Sequence, residues 1–288
     1  EKNIYSRIRQ KSADLRRIVT TALERNQKKY QLQQKQLKDS EKKEKYKLYG
    51  ELLNVYGYNL EEGAKELLAP NFYDNNKEIR IPLDPTLTPQ ENSQKFFDRY
   101  GKLKRTAEAL DKLLQETKAE IDHLESIQNS LDIALSADDL VQIKQELTEY
   151  GFIKKNRGGK KEKIKSKPFH YLSSDGYDMY VGKNNYQNDE LTFKFATGND
   201  WWFHAKGMPG SHVVVKSKGE EMPDRVFEEA GMLAGFYSKG RDSDKIEIDY
   251  LQKKNVKKPA GSAPGFVVYY TNYSLTIHPD ISHLKLIE

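Results

Sequence analysis

Apolar residues recur at steps of four and three from Phe96 through Tyr100, Leu103, Ala107, Leu110, Leu114, Thr117, Ile121, Leu124, Gln128 and Leu131 to Leu135, without a slip. A seven-residue repeat held that long specifies a helix that buries a narrow seam against another helix. The partner precedes it. Residues 3–56 hold few helix breakers, and Val19, Leu23, Asn26, Tyr30, Gln33 and Leu37 keep the same spacing, with polar interruptions at Asn26 and Gln33. Thr88-Pro89-Gln90-Glu91 marks the start of the second helix, with Thr88 as cap, Pro89 at the first helical position and Glu91 placed to close a capping box. At about 1.5 Å per residue, such an arm reaches roughly 70 Å.

Charge separates the two arms. Residues 1–50 carry 15 Lys and Arg against 6 Asp and Glu, whereas residues 105–150 carry 4 against 11. An antiparallel pair with attracting flanks follows, and since exposed ion pairs contribute only about 0.2–1 kcal/mol each, they select the partner while the apolar seam supplies stability. The surplus positive charge of the first arm has two readings, internal neutralisation with a solvated face, or contact with phosphate. Between the arms, residues 57–87 form a small tip subdomain. Leu67-Leu68, Phe72-Tyr73 and Ile79-Arg80-Ile81 are broken by Pro70, Asn75-Asn76, Pro82 and Pro85, which suits two short strands with Asn75-Asn76 in the bend.

Residues 1–153 thus read as an antiparallel coiled coil with its tip, ending in a short helix capped by Ser136 and stopped by Gly151. Residues 154–167 are a basic linker containing Lys154, Lys155, Arg157, Lys160 and Lys161, which would release counterions on meeting a polyphosphate or simply keep the chain soluble. Residues 168–288 form a second domain. Asp175-Gly176 signals a hairpin, Asn188-Asp189-Glu190 a capped short helix, and Asp200 to His204 followed by Gly207 to His212 and Val213-Val214-Val215 a strand, tight loop and strand. Small residues Ala230, Gly231, Ala234 and Gly235 suit a helix lying close on a sheet, from Pro223 to Gly240. Ile246, Ile248 and Tyr250 give the next strand an apolar face, and residues 266–271 and 273–278 read as a closing hairpin. Strands and helices intermingle without regular βαβ units, so the class is α+β, with a long antiparallel helical hairpin ahead of a mixed α+β domain.

The aromatic strand has two readings, a sheet core or a recognition surface. In the second, Trp202, Phe203, His204 and His212 stack on or hydrogen-bond to unpaired RNA, and Lys257 and Lys258 join the linker cations on phosphate. Catalysis is disfavoured. Ser211 and His212 are strand neighbours pointing to opposite faces, which defeats a triad with Asp200, and His204 with His212 lacks a third metal ligand at a recognisable spacing. No Walker-type loop is present. The chain is therefore expected to be a binding protein, with neither enzymatic activity nor a cofactor or metal.

Zero cysteines exclude a disulfide framework and a thiolate metal site, and fit a cytosolic setting. The mean hydropathy of −0.86 reflects solvated helices rather than disorder, because 18 Tyr, 11 Phe and 2 Trp need a core. No apolar run of about 18 residues exists to cross a membrane. Glu1 stands where an initiator Met would, as expected of a piece of something longer.

Gly182-Lys183-Asn184-Asn185, Asn188-Asp189, Leu191-Thr192, Trp202-Phe203-His204-Ala205, Pro209-Gly210-Ser211-His212 and Lys257-Lys258-Pro259 through Pro264-Gly265 together resemble the NFACT-R domain. Leu83-Asp84-Pro85 and Thr88 to Asn92 ahead of Phe97 and Tyr100 resemble the middle region of the same NFACT family, so the resemblance covers essentially the whole chain. It implies ribosome-associated quality control: binding of the obstructed large ribosomal subunit (its rRNA and stalk-region proteins) and of tRNA, and support of C-terminal alanine tailing of stalled chains, in the cytoplasm on the ribosome. The family's older names imply an alternative, a fibronectin-binding adhesin at the surface of a Gram-positive bacterium. Trp201 departs from the aliphatic residue common in the family.

Overall fold

In a computed structural model, which describes the backbone of residues 2–288 and the side chains of residues 7–288, the Thr88 hydroxyl accepts the Glu91 amide at 3.1 Å and donates to the Glu91 carboxylate at 3.2 Å. Helix α3 (Pro89–Ile133) accordingly starts at Pro89. Replacing Thr88 by alanine should cost about 1 kcal/mol. Amide hydrogen exchange over residues 89–92 would register it as faster opening of the first turn, and no change would mean that Asn92, whose amide also grips the Asp84 and Leu87 carbonyls, holds the turn alone.

The antiparallel partner is α1 (Lys2–Asp39), followed after a 3₁₀ turn at Ser40–Lys42 by α2 (Lys43–Tyr56). The uninterrupted helix expected over residues 3–56 is broken there because the Ser40 hydroxyl bonds back to the Leu37 carbonyl, a local competitor with the helical ladder. By packing, Asn26–Ala119 form one compact unit and Glu1–Arg25 with Glu120–Glu288 another. This division differs from the change in composition at 154–167.

In the Asn26–Ala119 unit the seam contains a buried polar layer in which Thr117 Oγ1 donates to Gln33 Oε1 at 2.9 Å. Strands β1 (Glu66–Asn71) and β2 (Lys77–Pro82) pair antiparallel, and Asn75 and Asn76 take left-handed backbone angles at the bend, a conformation asparagine tolerates. Leu52, Leu53, Leu67, Ala69 and Ile81 close a small core beneath them.

In the other unit, Arg16 Nη1 meets Asp132 Oδ1 at 2.7 Å across the helix pair, as the opposite charges of the arms lead one to expect. The seam stops at Leu131 rather than Leu135: the helix ends at Ile133, which turns into the sheet core, and Leu135 is 75 % exposed. Helix α4 (Ala137–Glu149) follows, with Ser136 as its cap.

Strands β3 (Phe169–Leu172), β4 (Asp178–Val181), β5 (Trp201–Ala205), β6 (Val213–Val215), β7 (Ile246–Gln252), β8 (Tyr273–Ile277) and β9 (Lys285–Leu286) form one antiparallel sheet in the order β8-β7-β5-β6-β4-β3-β9. One face packs under α6 (Asp224–Phe236), where a Cβ on Gly231 would come within 2.9 Å of Leu275 and one on Gly235 within 2.7 Å of Ile277, so the small residues permit the close approach. Pro223 caps this helix instead of entering it, and the helix ends at Phe236, short of Gly240. The opposite face carries Trp202, Val214 and Leu251 beneath helix α5 (Asn185–Glu190), the π-turn Leu191–Phe195 and the segment around Val256 and Val267.

Two expectations for this region are corrected. Residues 266–271 are not a strand: they touch the preceding loop through a single bridge, Lys257 to Val268, and β8 pairs with β7. The short helix is capped by Asn184, whose side chain accepts the Gln187 amide, leaving Asn188 free to accept the His212 backbone amide at 3.1 Å. Strand β7 also buries part of its second face, since Asp249 is held by Tyr269, Asn272 and Ser274 and Leu251 enters the core, while Glu247 at the start of that face stays exposed.

Candidate nucleic-acid interface

Strand alternation sends Trp202 and Phe203 to opposite faces, and because both faces are covered each side chain is fully buried. His212 is 2 % exposed and both ring nitrogens are engaged. Nε2 lies 3.0 Å from the Gly265 carbonyl, which can only accept, so Nε2 carries the proton and Nδ1 accepts from Thr192 Oγ1 at 2.7 Å. Trp202 Nε1 donates to the same hydroxyl at 3.1 Å, completing a chain from indole to hydroxyl to imidazole to backbone. Burial, reinforced by the neighbouring His204, pushes the His212 pKa down to about 3. His204 is half-buried, stacked on the Trp202 ring at 5.6 Å, and its pKa is also lowered by burial.

The expected stacking role of Trp202, Phe203 and His212 is therefore corrected, because none offers a ring face to a base. They assemble the core and pin the 259–265 loop to the sheet. Asp200 is likewise structural, tying the turn after Phe195 to the end of β6. Burial alone would raise its pKa, but the Lys216 ammonium and the Ser217 and Thr197 amides hold it below the usual range. Asp200, Ser211 and His212 form no relay, since the Asp200 carboxylate is held by Lys216, Ser217 and Thr197 and both His212 nitrogens by Thr192 and Gly265. Among the described residues, no group of three His, Asp or Glu side chains converges as metal ligands do.

The cations divide. Lys154, Lys155, Arg157, Lys160 and Lys161 are exposed and none forms an ion pair among the described residues, so all five present charge to solvent. Lys257 is exposed, with Nζ donating to the Lys254 carbonyl at 3.0 Å. Lys258 is half-buried and differs from the expectation: its ammonium donates to the Ala263 and Phe266 carbonyls and meets Asp189 at 3.3 Å, so it braces its own loop. Asp189 also accepts the Gly265 amide at 2.8 Å, and Gly265 adopts φ 80°, an angle glycine reaches without strain.

The Gly182-Lys183-Asn184-Asn185 motif turns inward, toward α4. Asn184 and Gln187 both donate to Gln142, and Asn185 donates to Glu146 at 2.8 Å, which also holds His123 at 2.7 Å. A Cβ on Gly182 would lie 2.0 Å from Asn188 Oδ1, so no other residue fits that approach. Both bonds to Glu146 fall on Oε2, and its buried Oε1 has no hydrogen-bond partner among the described residues; the Asn184 and Gln187 bonds to Gln142 are the part of the network that holds the elements in one arrangement. Here the network fixes α5 and the π-turn after it.

The π-turn presents Phe195 at 40 % exposure over the β3–β4 end of the sheet. Register places His170 opposite Tyr180, their rings stacked at 4.4 Å, and Phe195 meets Tyr180 edge-on at 4.8 Å. Lys216 Nζ sits 4.8 Å from the Phe195 ring. These rings, with Lys167, Lys194, Glu190 and Glu288, line an open cleft of about 500 Å³. Sequence reasoning passed over His170, Tyr180 and Phe195. The alternation in Phe169-His170-Tyr171-Leu172 and the register fixed by the Asp-Gly turn were the available signal for the first two; Phe195 carried none.

The sheet, its flanking network and the basic approach define a class. The chain belongs to the NFACT family: the family model described as the NFACT N-terminal and middle domains matches residues 1–166, and that described as the NFACT protein RNA binding domain matches residues 167–270. Among individual proteins it is 39 % identical over 275 residues to the Rqc2 homolog RqcH of Streptococcus pneumoniae serotype 2, covering 95 % of this chain and 49 % of that protein. It is 36 % identical over 278 residues to the Rqc2 homolog RqcH of Bacillus subtilis, covering 95 % and 48 %. The chain thus spans about half the length of these curated relatives. A solved structure, the C-terminal of the fibronectin/fibrinogen-binding protein from Streptococcus suis, superposes with a TM-score of 0.76 at 35 % identity, covering 95 % of this chain and 96 % of that one.

Proposed function

We propose that this chain is the RNA-engaging portion of a ribosome-associated quality-control factor, which helps hold the obstructed large ribosomal subunit and tRNA and so supports C-terminal alanine tailing of stalled chains. The observation that carries it is the basic run at 154–167, exposed and unpaired, leading directly into the region matched as an RNA binding domain. The role is binding and positioning, without chemistry of its own, and it places the protein on ribosomes in the cytoplasm. Stalk-region proteins join rRNA as partners in this reading.

Sedimentation with purified large subunits across a salt series tests it. Binding should weaken steeply with salt, and Lys→Gln changes at Lys154, Lys155, Lys160, Lys161 and Lys257 should flatten the log–log slope by about 0.7–0.9 for each phosphate that is no longer neutralised. Absence of binding at low salt would defeat the proposal. A second reading, fibronectin binding, draws on the name of the Streptococcus suis structural relative. Saturable capture of the chain by immobilised fibronectin at physiological salt would support it, and a surface-exposed location in the cell would have to follow. No helix among the described residues is long and apolar enough to cross a membrane.

A further inference from the structure

We infer that the cleft formed by His170, Tyr180 and Phe195 binds the unpaired bases of single-stranded RNA by stacking. The inference rests on the RNA-binding reading above and assigns it a site and a nucleic-acid class.

Three observations converge there. The first is aromatic: the stacked His170–Tyr180 pair forms one wall, and Phe195, 40 % exposed, stands edge-on against Tyr180. The His170 ring is held in place by Nε2 against Asp178 Oδ1 at 2.7 Å, so this wall is fixed before any ligand arrives. The second is size. A cavity of about 500 Å³ accommodates a nucleobase with its ribose, and bases enter such a cleft only when they are out of a duplex stack. The third is charge. Lys167 is exposed at the rim as the last residue of the basic linker, and Lys194 is exposed beside Phe195, its pairing with Glu190 long at 3.7 Å; Glu190 and Glu288 also line the cleft, so the positive field comes from the linker cations that lead into Lys167. A strand whose bases lie on the rings therefore runs its phosphates past Lys167 and toward the linker cations. An anionic backbone carrying flat, apolar faces is the chemistry that this combination recognises.

The segment that positions Phe195 reinforces the assignment. Its π-turn is closed by the Ala196 amide on the Leu191 carbonyl at 2.8 Å, and the turn rests on the buried Asn184–Gln187–Gln142 network. A large ring is thus held out toward solvent by a rigid support.

The test is fluorescence anisotropy of the 288-residue chain with a labelled ten-nucleotide single-stranded oligoribonucleotide, the same sequence as a duplex, and an abasic oligomer of equal charge. Single strands should bind more tightly than both controls. Phe195→Ala should weaken single-strand binding roughly 5- to 150-fold, the range that alanine substitution gives at base-stacking rings, and leave the abasic oligomer and the salt slope unchanged. His170→Ala should act in the same direction, while Lys167→Gln with Lys194→Gln should flatten the salt slope and keep the preference for bases. Phe195 is exposed enough for its alanine variant to fold, which circular dichroism checks. If all three ligands bind equally, or if neither ring variant changes single-strand affinity, the stacking site is wrong while RNA binding stands. If no ligand binds at low salt, the stacking site falls, and sedimentation with large subunits decides the ribosomal reading separately.

Discussion

Replacing Trp202 by alanine is expected to cost about 3–5 kcal/mol, the range for deleting a large buried ring. The indole is completely buried among Leu191, Val214, Leu251 and Val256, and its N–H is spent on Thr192. Removing it leaves a cavity that the sheet cannot collapse to fill, and takes one donor from the hydroxyl that orients His212. For a domain stable by about 5–15 kcal/mol, that loss is a large share. Urea unfolding followed by far-ultraviolet circular dichroism would show the midpoint falling sharply. Trp201→Ala is the control: this ring is only half-buried, beside Phe227, Tyr250 and the exposed Tyr273, so its loss should cost distinctly less. Equal effects at the two positions would contradict the burial that separates them.

Acid should destabilise the sheet domain well above the pH at which carboxylates protonate. The folded-state pKa of His212, about 3, lies below its ordinary value of 6.5, so between those values the unfolded chain binds a proton that the folded chain refuses. Stability is complete above about pH 6.5 and declines as pH falls toward 3, by up to about 1.4 kcal/mol per pH unit. His204, also lowered by burial, adds in the same direction. Asp139 and Asp200, both held below the usual carboxylate range, contribute further loss only once pH drops through that range. Urea midpoints between pH 7.5 and 4.5 would trace the decline. His212→Gln, whose amide can donate to Gly265 and accept from Thr192 without titrating, should flatten it. An unchanged slope in that variant would assign the acid sensitivity to another group.

Much of the fold was legible because local chemistry dictates it. The Thr88 cap on the Glu91 amide, the Asn75-Asn76 bend, the Asp175-Gly176 hairpin and the small-residue face of α6 each require particular residues at fixed spacing, whatever surrounds them. The site was less legible. Whether Trp202 and His212 face water depends on what covers the second side of the sheet, and the cover comes from the π-turn just before the strand and from the 256–269 segment, the latter far away in sequence. A period of two shows that residues alternate between faces; it is silent on whether either face is wet. Lys258 illustrates the same limit, since only the folded loop brings the carbonyls of Ala263 and Phe266 to its ammonium. The linker cations were easier, because fourteen residues with so few apolar groups have nothing to bury.

The Gln33–Thr117 layer in the helix pair carries a consequence for how force is borne. Sliding one helix past the other by a heptad, about 10 Å, would return apolar residues to apolar holes along much of the seam but strand this amide among side chains that cannot accept or donate. The layer works as a notch in a ratchet: a lengthwise load on the hairpin is resisted there by a hydrogen bond as well as by packing, and release there would be abrupt rather than gradual.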